Sequence, residues 1–277
     1  MQINPIHHYK NNKILSFKKG LTPNIARQIE EVDVFVIEKQ LQKANIESDF
    51  KDNKVIAWSC NKILEILTSL KIKFNQEFAL PRAIYVEDFR KLNIDINQLE
   101  DAYGFCNLIP AKLINGSNQI IPSRALFFNS NCHWNDIDLI SDIKFENGDS
   151  SSNLFLYTFL HEFSHSAHED RIIKKYGIRK ARKILGSAIS DDCAEKYQAK
   201  YNSELSSISK YALENPLEAV AEDTTRLICN SLDANLSLAQ NPFLNSPYDS
   251  FVRCNIMNPN KCNKRDKLLR NFWNGKL

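Results

Sequence analysis

A chain of 277 residues is long for one domain and short for two, and 43% hydrophobic with 10% aromatic residues supplies a sizeable core without disulfides. A net charge of +3 argues against nucleic acid as a partner, and the most basic run, KKYGIRKARK at 174–183, has no stripe of aromatics to stack on bases beyond the single Tyr176 and reads as a solvated helix and loop face. No stretch reaches the apolar length of a membrane span and the N-terminus lacks a signal-peptide core. The expectation is a cytoplasmic protein, or one exported by a signal-peptide-independent route, with no membrane partner.

Residues 1–20 read as a loose arm. Thr22 and Pro23 then open a helix, as N-cap and first helical residue, and IARQIEEVDVFVIEKQLQKA continues it with Ile25, Ile29, Val32 and Val36 on one stripe. A second helix over 54–72 carries Ile56, Ile63, Ile66, Leu67 and Leu70. PRAIYVEDF at 81–89, AYGFCNLI at 102–109 and SRALFFNSN at 123–131 read as strands, the last two separated by the turn-forming INGSNQ. NGDSSSN at 147–153 is turn material, and LFLYTFLHEFSHSAHEDRIIKKYG forms a long helix ending at the C-cap Gly177. Two or three more helices fill 178–212. Asn215 and Pro216 start the helix over 215–232, and 233–277 forms a C-terminal extension.

Strands first and helices later, with no βαβ alternation and no Pro/Gly-rich linker, indicate one α+β domain over 1–277. Its helical N-terminal part spans 22–73 and its sheet and site core 79–232. The seven cysteines are scattered without a CxxC pair, which fits a reducing compartment and buried thiols; Cys254 and Cys262 are the one pair spaced for a bridge outside the cell.

Three of the chain's six histidines fall within FLHEFSHSAHED at 159–170. On a helix His161 and His165 stand one turn apart on one face, so their imidazoles can converge on an ion. Glu162, about 100° round, borders the open side of that ion without binding it. This is the HExxH pattern of two zinc ligands and a general base. Phe155, Leu156, Phe159, Leu160 and Phe163 make the segment apolar nearly all round. The histidines are therefore expected to be buried, where a metal supplies the partners they need. His168 lies on the same stripe but about 10 Å from His161 along the axis, too far to share an ion on a straight helix. The HExxHxxGxxH pattern fails too, because position 168 is His and position 171 is Arg, so His168 is assigned to the surface or to a place behind the ligands. A third ligand must come from elsewhere. NPLEAVAED offers Glu218 and Glu222 four residues apart, and spacing leaves the choice between them open. Glu218 also suits a helix cap, and Glu222 a pair with Arg226.

HEFSH at 161–165 together with YALENPLEAVAE at 211–222 resembles the catalytic domain of anthrax lethal factor and related zincins. Those proteins carry HEFGH followed by a Tyr, an Asn four positions on and a Glu seven positions after the Tyr, within an E-x-x-A-E helix. Tyr211, Asn215, Glu218, Ala221 and Glu222 stand in that register; Ser164 departs from it by replacing the glycine. The resemblance covers 155–230. It implies a mostly helical zincin-like fold with a small mixed β-sheet beside the active-site helix, an edge strand at the cleft for which SRALFFN is available, and one zinc ion. Glu218 is then the third ligand, Tyr211 a donor to the oxyanion, and Glu222 an outer partner of the metal site together with Asn215 and His168. The implied activity is zinc-dependent endopeptidase cleavage of a protein or peptide substrate, with Glu162 as general base and toxin or effector roles known among such proteins. The alternative from another class is a non-catalytic zinc-binding interaction protein on the same fold. A mobile-element protein contacting single-stranded nucleic acid is disfavoured by the charge.

Overall fold

The computed structural model describes residues 23–74, 78–92, 102–107, 111–112, 120–121, 124–185, 189, 191–206, 208–238 and 269. The N-terminal arm, INGSNQ, Cys254, Cys262 and nearly all of the C-terminal extension lie outside the described residues.

The first long helix of the sequence reading is two helices, α1 (Pro23–Glu30) and α2 (Val34–Lys43). Asp33 breaks it: its carboxylate accepts the Val36 amide at 3.2 Å and caps α2, whose buried face is Val34, Ile37 and Leu41, so Val36 of the expected stripe is exposed. A short strand β1 (Glu47–Asp49) and helix α3 (Lys54–Phe74) lead to β2 (Ala83–Glu87). Because β1 pairs with β2 in parallel, this is a βαβ unit, contrary to the expectation of none. Three residues reading Glu-Ser-Asp carry no strand signature; main-chain pairing makes the strand.

Strands β3 (Gly104–Asn107) and β6 (Ala125–Asn129) flank the two-stranded hairpin β4 (Ala111–Lys112) and β5 (Ile120–Ile121). The main sheet runs β1-β2-β6-β3, with β6 parallel to β2 and β3 antiparallel to β6. SRALFFN therefore supplies a central strand paired on both sides, and the edge strand beside the site helix is β3. Its Gly104 packs so closely on β6 that a Cβ would stand 3.0 Å from the Phe128 ring and 3.2 Å from the Phe127 carbonyl oxygen.

Alternation along the strands divides the sheet's two faces. Ala83, Tyr85, Ala125 and Phe127 point to one side, where Phe105 stacks on Phe127 with ring centres 4.9 Å apart. Ile84, Val86, Leu126 and Phe128 point to the other, into the main core shared with α3 and the long helix α5 (Tyr157–Leu185). Phe159 of α5 is fully buried, its ring 5.0 Å from that of Phe128 and 5.3 Å from that of Trp134, and this contact fixes the height of α5 on the sheet. A helix α4 (Ile137–Glu146) precedes α5. Gly177 adopts φ 74° and ends the first run of α5 as expected, after which the chain resumes helix to Leu185. Helix α6 (Asp192–Leu205) follows, then a single 3₁₀ turn at Tyr211–Leu213 and helix α7 (Pro216–Leu238), which packs against both α5 and α6.

The architecture is α+β, dominated by helices, with a small mixed sheet. No helix among the described residues is long and apolar enough to cross a membrane.

Candidate metal centre

The apolar flanks of HEFSH do what their pattern demands. From Tyr157 to Glu169 every residue of α5 is buried, so the polar side chains in that stretch must find partners inside the protein. His161 and His165, one turn apart, place their Nε2 atoms 3.0 Å from each other. Helix α7 brings Glu218 to meet them, with Oε2 3.1 Å from His161 Nε2 and 3.2 Å from His165 Nε2. Asn215 sets this up by capping α7, its Oδ1 accepting the amides of Leu217 at 2.9 Å and Glu218 at 3.0 Å. Asn215 thus acts on the backbone that carries Glu218, while the Glu218 carboxylate turns inward rather than serving as a cap.

Tetrahedral ligands about 2.0–2.1 Å from a zinc ion stand roughly 3.3 Å apart, so a triangle of this size fits the group. Among the described residues these three are the side chains of metal-binding type that converge in this way. Electrostatics point the same way. Burial opposes a charge on His161, but the carboxylates of Glu218 and Glu222 outweigh it and raise the ring's pKa well above its ordinary value. Burial likewise opposes ionisation of Glu218, and His165 and His161 outweigh it, holding that carboxyl well below the usual carboxylate range. Two imidazoles and a carboxylate around one point call for positive charge between them, which a divalent cation provides without protons.

Glu222 is the buried partner behind the triangle. Its Oε1 lies 2.9 Å from His161 Nδ1, a separation of hydrogen-bond length with the ring N–H off line. The same oxygen accepts the Tyr157 hydroxyl, and Oε2 accepts Ser209 Oγ at 2.8 Å. Arg226, which spacing alone also allowed as a partner for Glu222, binds Asp223 at 2.6 Å, and Glu222 faces α5 and is fully buried. The Glu222 carbonyl also accepts Ser151 Oγ at 3.0 Å, tying the turn before α5 to α7.

Glu162 is buried and stands outside the convergent triangle. Burial raises its pKa, opposed by the charges of His161 and His165 and by the Cys106 amide of edge strand β3. Tyr211 is 44% exposed, with its ring centre 6.3 Å from that of His161 and nearly perpendicular to it. Burial of its hydroxyl, helped by Glu214 and Glu218, lifts that group to about 12, so it remains a proton donor. Ser164, where the resembled motif has glycine, is accommodated: its Oγ donates to the Leu160 carbonyl of its own helix at 2.8 Å.

His168 is not on the surface, and it stands outside the convergent group of three. It is buried and its Nε2 lies 2.9 Å from Asp191 Oδ2, whose other oxygen accepts the Tyr176 hydroxyl at 3.0 Å. Tyr157, Ser209, Ser151 and Asp191 all escaped the sequence reading. Only Tyr157 left a signal there, as a phenol in an apolar run one turn before His161. No family model, curated protein or solved structure matches the chain.

Proposed function

We propose that the chain is a zinc-dependent endopeptidase on a zincin-like fold, with His161, His165 and Glu218 holding one zinc ion. The observation that carries this reading is the 3.0–3.2 Å triangle of two imidazole nitrogens and one carboxylate oxygen, with a buried glutamate next in sequence to the first histidine and outside the triangle. Zinc bound there supplies Lewis acidity and lowers the pKa of water to about 7.

The protein's own groups do the rest. Glu162, with its pKa raised by burial, takes a proton from the attacking water and later delivers it to the leaving amine. The Tyr211 hydroxyl donates to the oxyanion that develops on the scissile carbonyl. The Glu222 carboxylate lies 2.9 Å from His161 Nδ1, behind the ring, while Nε2 faces the triangle. The substrate is a protein or peptide.

The test is Glu162→Gln in zinc-loaded protein against a peptide library. The variant retains zinc and loses turnover by several orders of magnitude. Cleavage equal to wild type would remove Glu162 from the mechanism. Zinc binding with no cleavage by wild type would instead favour an interaction protein built on the same metal site.

A further inference from the structure

Lys144 sits in the last turn of α4, where the helix's carbonyl end favours a cation. Its Nζ lies over the Tyr103 ring, 5.0 Å from the centre, and Tyr103 immediately precedes edge strand β3. The turn after α4 joins the segment that carries Tyr211, through the Lys210 amide donating to the Gly148 carbonyl at 2.8 Å. The end of α4 that bears Lys144 is therefore tied to the edge strand through Tyr103 and to the Tyr211 turn through Gly148. The groups its charge meets there are Cys132, Glu162, Asp149 and Glu222, and burial lowers its pKa.

Each carboxylate in that set has another engagement. Asp149 pairs with Lys210 at 2.9 Å, Glu222 is taken by Tyr157, Ser209 and His161, and Glu162 lies against β3 beside the metal triangle. Among the described residues no carboxylate stands within ion-pair distance of Lys144 Nζ. An ammonium has three donors, and on this partly buried side chain they stay open to a ligand.

We infer that Lys144 is a specificity-determining residue whose ammonium receives a carboxylate of the substrate, close to the bond that is cut. The inference rests on the peptidase reading and narrows its substrate class to peptides bearing an acidic group near the scissile bond. Charge-assisted pairing in such a setting corresponds to about a tenfold preference.

The test uses a randomised peptide pool made in matched sets. The sets carry Asp and Glu or Asn and Gln, each with a free or an amidated C-terminus. Zinc-loaded wild type, Lys144→Gln and Lys144→Arg are compared by the ratio of kcat/KM for acidic over neutral members, with zinc content and melting temperature measured alongside. Wild type prefers acidic members about tenfold, Lys144→Gln brings the ratio to near one, and Lys144→Arg restores most of it. A preference that follows the free C-terminus assigns the carboxylate to the chain end, and one that follows Asp and Glu assigns it to a side chain. Equal ratios in wild type and Lys144→Gln overturn the inference while leaving the peptidase standing, and reduce Lys144 to a stem packed on Tyr103. Failure of zinc-loaded wild type to cut any set overturns both.

Discussion

His161 Nδ1 and Glu222 Oε1 lie 2.9 Å apart across the α5–α7 interface, with Glu222 fully buried. Glu222 is four residues from Glu218 on the same helix, so α7 presents one carboxylate to the metal position and the next to the back of a histidine. That division of labour predicts different losses. Glu218→Ala removes a ligand and abolishes tight zinc binding, whereas Glu222→Gln weakens it about 10- to 100-fold, the usual cost of losing an outer-shell partner. Competition titration against a chromophoric chelator measures both. The reverse order would make Glu222 the ligand.

Tyr157 gives Glu222 a hydroxyl donor in a fully buried setting. Tyr157→Phe keeps the ring packing and deprives that carboxylate of one partner, at a cost of about 1–3 kcal/mol in metal-free protein. Urea unfolding in the presence of a chelator reads the change. An unchanged midpoint would reduce the contact to incidental packing.

The Tyr211 ring stands beside that of His161, 6.3 Å from centre to centre. Tyr211→Phe lowers kcat about 100-fold, as loss of one oxyanion donor does elsewhere, with zinc content unaltered. A wild-type rate would assign the ring to packing alone.

Much of this site was legible because helical spacing is a strong constraint. His161 and His165 had to share a face, and the apolar residues between and around them had to bury it. Spacing could not choose between Glu218 and Glu222, since both fit a helix cap or an ion pair in isolation. The choice depends on how α7 packs against α5, which is long-range information. For the same reason Arg226 pairs with Asp223 instead of Glu222, and Asp191 emerges as the partner of His168 only in three dimensions. In the sheet, PRAIYVEDF and SRALFFNSN were legible as strands from their apolar β-type runs, but β1 is too short and polar to be seen, and with it the βαβ unit was lost.

Asp191 supplies a pH dependence outside the candidate metal centre. Burial disfavours its charge, yet His168, Tyr176 and the Cys193 amide hold its pKa at about 2, against 3.8 for an ordinary aspartate. A carboxyl with a depressed folded pKa stabilises the fold above its unfolded pKa, and that contribution disappears as pH falls through the folded value. Between about pH 5 and pH 2 the wild type therefore loses about 2 kcal/mol that Asp191→Asn does not lose. Unfolding curves across that range in chelator check the difference; parallel curves for the two proteins would mean that Asp191 has no such role.

The central claim, that two helices meet around one zinc ion, is tested most directly by elemental analysis of purified protein after dialysis against trace zinc. Wild type, His161→Ala and Glu218→Ala are compared under identical conditions, with folding checked by circular dichroism. One zinc per chain in wild type and none in either folded variant is the expected result. Zinc retained at full occupancy in His161→Ala, or absent from wild type, would contradict it.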